Sequence, residues 1–255
     1  MMIESFQNEK IKNLTRLISD NRFRKKSGVF VVEGKQENER ALKFGFEVQE
    51  FFICESIFNE DFPKGKRSLV SEKVYEKIAY RGSSEGIIGI YQTPKNDLAT
   101  FSPKENSAII IVEGIEKPGN LGAILRSCEA FGIDGLIITD PKTDLYNPNV
   151  IRSSVGCLFG MNVFTATNET TSQFLEKNKY TIYSTFMDES AEDLDQKDFT
   201  KKTAIIFGTE HSGISDYWMT KTPNILIPMV GTIDSLNLSN AVAITCYEIL
   251  RQKRK

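Results

Sequence analysis

Four apolar runs constrain this chain more than any other feature: SAIIIVEG from Ser107, GLIIT from Gly135, TAIIFG from Thr203 and NILIP from Asn224. A strand with one wet face alternates apolar and polar residues. These runs do not alternate, so both faces of each must be covered, as in a parallel sheet packed between helices. Amphipathic stretches over 121–131, near Phe174 and over 239–252 supply the covering helices, and strands near Val163 and at YTIYST extend the sheet. The fold class is therefore α/β. In such sheets ligands bind at the carboxyl ends of the strands.

The front of the chain reads as a separate small α/β unit. Residues 9–21 carry Ile11, Leu14, Leu17 and Ile18 at helical spacing, and a basic stretch follows with Arg22, Arg24, Lys25 and Lys26. Strands from Val29, Val48 and Gly86 alternate with helices over 38–44 and 72–79. TPKNDLATFSPKEN then brings two prolines, many turn formers and no periodicity. The expected organisation is a first domain over 1–95, a linker over 96–106 and a second domain over 107–255.

Composition removes several function classes. The net charge is −2, with the positive bias in residues 1–100, so the chain is no polycation. Cys54, Cys128, Cys157 and Cys246 form no CxxC pair, and His211 is the sole histidine. A zinc ribbon, a disulfide framework or a multi-histidine metal site is not expected. No apolar run reaches membrane-spanning length, and MMIESFQNEKIKN lacks the apolar core of a signal peptide. The expectation is a cytoplasmic protein with neither metal nor membrane among its partners. The phosphate loops of nucleotide hydrolases and the dinucleotide fingerprint are also absent.

Three strand-end loops carry candidate chemistry. In EGIEKPGNLGAILRSCEAFG, Asn120 reads as the cap of a helix whose apolar stripe is Leu121, Ile124, Leu125, Cys128 and Phe131. Arg126 points away from that stripe, either into solvent or toward a ligand phosphate or partner subunit. In IIFGTEHSGIS, Glu210 disfavours a phosphate cradle and suits a ribose hydroxyl or a cation. In ILIPMVGTIDSLNLSNAV, the capping-type residues Ser235, Asn237 and Ser239 exceed what one helix start needs. The surplus side chains and loop N–H groups suit a small molecule.

Together these stretches resemble the three sequence motifs of the SpoU/TrmH family of RNA ribose 2′-O-methyltransferases, within the SPOUT class, over about 107–250. Asn120, Gly122 and Arg126 match the first motif. Gly208, Glu210 and Gly213 match the second, with Thr209 and His211 departing from the commoner flanks. Ile227, Pro228, Met229, Gly231, Ser235, Leu236, Asn237 and Ser239 match the third. NPNVIRSSVG, with Arg152, Ser154 and Gly156, is similar to a further stretch of the family pattern. The front segment resembles the family's small ribosomal-protein-like substrate-binding domain through FVVEGKQENERAL and VSEKVYEKIAYRGSSEGIIGIY.

The resemblance implies an α/β catalytic domain tied in a trefoil knot, with S-adenosylmethionine bent into the knot. Gly208, Thr209, Glu210, Ile227, Met229, Gly231 and Leu236 would hold the cofactor. Arg126, Asn120, Glu210, Asn237 and Ser235 would form the catalytic set. Arg22, Arg24, Lys25, Lys26, Arg126 and Arg152, with Arg81, would contact RNA. The implied assembly is a homodimer through the C-terminal domain, with Arg126 acting across the interface. The implied substrate is ribosomal RNA, with transfer RNA or a non-catalytic RNA-binding role as alternatives.

Overall fold

The structure is a computed structural model describing residues 2–61, 65–79, 85–186, 188, 191–209, 213–233 and 235–254. The chain opens with α1 (Glu9–Ser19), α2 (Asn21–Ser27), β1 (Val29–Glu33), α3 (Lys35–Lys43), β2 (Val48–Ile53), β3 (Arg67–Leu69), α4 (Glu72–Ile78) and β4 (Ile87–Gln92). It continues with β5 (Ala108–Glu113), α5 (Pro118–Ala130), β6 (Gly135–Thr139), α6 (Pro148–Ser153), β7 (Val163–Ala166) and α7 (Asn168–Lys177). The last part holds β8 (Thr181–Thr185), β9 (Glu192–Asp193), β10 (Thr203–Phe207), α8 (Asp216–Met219), β11 (Asn224–Leu226) and α9 (Leu238–Lys253). Two compact units result: Met1–Lys95 with Asp144–Gly160, and Asn96–Thr143 with Met161–Lys255.

In the first unit the strands run β1-β4-β2-β3, with β4 antiparallel to both neighbours. Asn8 and Asp20 cap α1 and α2 by accepting from Lys10 N and Phe23 N. Ile11, Leu14 and Leu17 bury the inner stripe of α1 in a core with Val29, Val31, Phe52 and Val74. The opposite strand face carries Phe30, Phe51 and Tyr91. There Tyr146 stacks on Phe30 at 4.4 Å, and Phe159 packs edge-on against Phe46 at 4.9 Å.

That second face explains a departure from the expected domain limits. Residues 144–160 belong by sequence to the second domain, yet they complete the first unit, because its sheet offers aromatic side chains that α3 alone does not cover. A buried ion pair fixes the segment: Arg24 Nε donates to Asp144 Oδ2 at 2.7 Å, and Arg24 Nη1 donates to Leu17 O at 2.7 Å. Gly156 is required here, with φ +69° and space for no more than a tight contact against Arg40.

In the second unit, among the described residues, one sheet has the order β7-β6-β5-β10-β8-β11-β9, with every pairing parallel. β5, β6 and β10 are buried at every position, as the unbroken apolar runs require. The 96–106 stretch is no free linker. Leu98 joins the core of this unit, Phe101 packs against Phe164 at 5.2 Å, and Asn96 Nδ2 donates to Val163 O at 3.2 Å. Leu98 and Phe101 were hidden among turn formers.

Candidate active site

The site is assembled at the carboxyl ends of β8, β10 and β11. Each strand delivers its chain into a loop there, and the loops after β10 and β11 carry two of the three motifs. Gly208 directly follows β10. Any β-carbon on it would overlap the backbone of Gly213, so the two glycines five apart are in contact rather than coincidental. Thr209 N donates to Gly213 O at 2.9 Å, and Gly213 N returns a bond to Thr209 O at 3.2 Å. Gly213 has φ +68°, which closes this narrow loop. Glu210 and His211 lie outside the described residues, as does Arg81.

A cavity of about 170 Å³ opens beside this loop. Thr185 and Phe186 line it at the end of β8, Phe207, Gly208 and Thr209 at the end of β10, and Ile225, Leu226, Ile227 and Met229 along and after β11. Ser235, Leu236, Leu238, Ala241 and Thr245 close it from the start of α9, with Leu194 beside them. Residues 227–233 belong to no helix or strand, so their backbone groups are not consumed by a regular ladder. Among the described residues, none of those lining the cavity is Lys, Arg, Asp or Glu. The walls are apolar with hydroxyls and backbone amides interspersed, which suits a nucleoside or thioether better than a phosphate.

The sequence-expected cofactor residues Gly208, Thr209, Ile227, Met229 and Leu236 meet at this cavity, as does Ser235. Gly231 does not. It is exposed, with open space around it, because the loop after β11 swings outward there. Thr185, Phe186, Leu194, Ala241 and Thr245 were missed. Nothing in the sequence says that β8 and β11 become neighbours, which is what brings these residues in. Asn224 fixes that edge: its amide donates to Phe186 O at 2.8 Å and accepts from Phe186 N at 3.0 Å.

The first and third motifs also meet. Asn237 caps α9, its Oδ1 accepting from Ser239 N at 3.0 Å and Ser239 Oγ at 2.6 Å. Its Nδ2 donates to Asn120 Oδ1 at 3.4 Å. Asn120 is not the cap of α5, contrary to the sequence expectation. Pro118 occupies the first helical turn and Lys117 the cap position, because proline has no N–H to satisfy and is preformed for that place. Asn120 instead meets Asn237 at the start of α9. The helices are locked further along by Cys128 and Cys246, both buried. A hydrogen bond with the Cys246 thiol, in which the protonated Cys128 thiol donates, and then burial hold the Cys128 thiol well above its ordinary range.

Arg126 is exposed on α5 and, among the described residues, makes no hydrogen bond or ion pair. Of the other basic residues expected to meet RNA, Arg22, Lys25 and Lys26 are exposed on α2. Arg24 is 4% exposed and committed to Asp144, so it is withdrawn from that surface. Its neighbours point outward because helical spacing turns one residue of this basic run inward. Arg152 is exposed in the first unit, near Glu37. Among the described residues no group of three His, Cys, Asp or Glu could hold a metal ion, and no helix is long and apolar enough to cross a membrane.

A parallel α/β domain with an apolar pocket at its strand ends, next to loops in which Asn237 meets Asn120, fits a class of cofactor-dependent transfer enzymes. The chain belongs to the SpoU rRNA Methylase family, whose pattern matches residues 107–247, and residues 8–89 match the MRM3-like substrate binding domain. The chain is 27% identical over 252 residues to the 23S rRNA (guanosine(2553)-2'-O)-methyltransferase RlmP of Bacillus subtilis (strain 168), covering 97% of this chain and 98% of that protein. A crystal structure of an RNA 2'-O ribose methyltransferase is 31% identical and matches with a TM-score of 0.87 over 100% of both chains. An AdoMet-bound rRNA methyltransferase from Sinorhizobium meliloti shares the fold, with a TM-score of 0.89 at 23% identity over 98% of this chain and 97% of that one.

Proposed function

We propose that this protein is an S-adenosylmethionine-dependent 2′-O-methyltransferase of ribosomal RNA, working in the cytoplasm as a homodimer joined through its knotted second unit. The observation that carries the reading is the cavity where Gly208, Thr209, Ile227, Met229, Ser235 and Leu236 converge. Its residues fit the cofactor. Apolar side chains suit the adenine ring and thioether chain, and loop backbone suits the polar ends. When bound, S-adenosylmethionine supplies a methyl group to an oxygen nucleophile.

The rest falls to the chain's own residues. Arg126 acts by holding the neighbouring phosphate and stabilising charge that grows on the 2′-oxygen as its proton passes to solvent. Asn120 and Asn237 hold the starts of α5 and α9 together, and Glu210 belongs to the same catalytic set. Much of the acceleration comes from alignment of the ribose with the cavity mouth.

RNA as substrate follows from the need for a 2′-hydroxyl. Ribosomal RNA is favoured over transfer RNA because the front unit is present along with the catalytic one. Arg22, Lys25 and Lys26 form the electrostatic part of that surface. Replacing all three by Gln should reduce the slope of log affinity against log salt by about 2, from the slope each phosphate contact contributes. An unchanged slope would dismiss the patch. The homodimer is supported by exposed Ile244 and Tyr247 on α9 and exposed Val230 and Ile233 in the loop after β11. Sedimentation equilibrium should give twice the chain mass.

The deciding experiment maps 2′-O-methyl sites on ribosomal and transfer RNA from cells with and without the gene, alongside calorimetric titration of the protein with S-adenosylmethionine. One ribosomal site should vanish in the deletion and return on complementation. Loss confined to a transfer RNA would move the substrate, and absence of heat would remove the enzyme reading altogether.

A further inference from the structure

Glu113 ends β5 and is 6% exposed, yet among the described residues no Lys or Arg pairs with it. A buried carboxylate without a cation is costly and persists only when donors surround it. Here three donors do so. Ser215 N reaches Oε2 at 2.8 Å, Ser215 Oγ reaches Oε1 at 2.7 Å, and Asn168 Nδ2 reaches Oε1 at 2.6 Å. Asn168 is itself oriented, its Oδ1 accepting from the indole N–H of buried Trp218 at 3.0 Å. The next residue, Gly114, has φ +65°, and a β-carbon there would lie 2.6 Å from Cγ2 of Thr209. The end of β5 therefore touches the loop after β10 at both ends: Gly114 against Thr209 where it leaves the cavity, Glu113 against Ser215 where it closes.

We infer that Glu113 is a positioning residue for the cofactor site, holding Ser215 so that Gly208 and Thr209, across from it after β10, form the cavity wall. The inference rests on the S-adenosylmethionine reading of that cavity. Packing alone would be served by an apolar residue. A carboxylate is the side chain that can accept from a backbone N–H, a hydroxyl and an amide together. Glu113 does not line the cavity, so its effect on the cofactor passes through Gly208 and Thr209.

The test compares the full chain with E113Q, which keeps the shape but turns an NH₂ group toward donors. S-adenosylmethionine affinity is measured by calorimetry, and melting temperature and amide exchange over 208–215 are measured on the same samples. L175A, in the buried core of this unit, serves as a control for general destabilisation. The expected result is an affinity loss of about 10-fold or more in E113Q, the scale of one unmet buried donor, with faster exchange over 208–215. L175A should retain affinity at an equal or larger drop in melting temperature. S215A, which removes one donor and leaves the carboxylate, should weaken binding by a smaller factor of about 3, and it decides the matter if E113Q does not fold. Unchanged affinity in E113Q, equal weakening in L175A, or, where S215A decides, its unchanged affinity overturns the inference. A wild-type chain that binds no S-adenosylmethionine overturns the functional reading beneath it and this inference with it.

Discussion

Arg126 and Arg24 show how differently two arginines can be used. Arg126 is exposed and unpaired among the described residues, and Arg24 is buried against Asp144. The exposed one was legible in the sequence, because helical periodicity put it opposite the apolar stripe of α5. The buried one was not, since its partner lies 120 positions away. For Arg126→Ala we expect methyl transfer to fall by roughly 100-fold or more, the loss seen when a charge-stabilising donor is removed. Cofactor affinity should stay within about 3-fold, since Arg126 does not line the cavity. Single-turnover transfer to ribosomal RNA, together with calorimetry, checks both. Retained transfer would remove Arg126 from the chemistry.

At the scale of elements, the strands were legible because full burial leaves an unmistakable apolar run, as in AIIIVE of β5. The short β3, β9, α6 and α8 were not, since each has too few residues to show a period. The cavity was half legible: the third motif announced its own crowding of Ser235, Asn237 and Ser239, whereas Phe186 and Leu194 reach the site only through the order of strands. Asn237 joins both kinds of information, as the cap of α9 and as a partner of Asn120. Asn237→Ala should cost about 1 kcal/mol from the lost cap. It should also lower methyl transfer more than that instability explains, because α5 loses its hold on α9. Urea unfolding and transfer rates separate the two parts. A variant as active as its folded fraction allows would reduce Asn237 to a cap.

At the scale of the whole molecule, the chain leaves its second unit at Asp144 and returns at Met161. A sequence reading by domains cannot see such an excursion, since NPNVIRSSVG matches the family pattern of the catalytic part while its side chains complete the other unit. Tyr146 and Phe159 supply the aromatic cover, and the Arg24–Asp144 pair supplies the lock. The pair makes a sharp prediction, because removing one member strands the other in the interior. Asp144→Ala should destabilise the first unit by about 3–5 kcal/mol, the cost of an uncompensated buried charge. Replacing both, as R24M with D144L, should recover much of that loss, since matched apolar groups need no partner. Guanidinium unfolding followed by hydrogen exchange in β1 and β4 reads the first unit directly. If the double variant is as unstable as the single one, the loss does not come from a stranded charge, and the bonds of the pair themselves hold the segment.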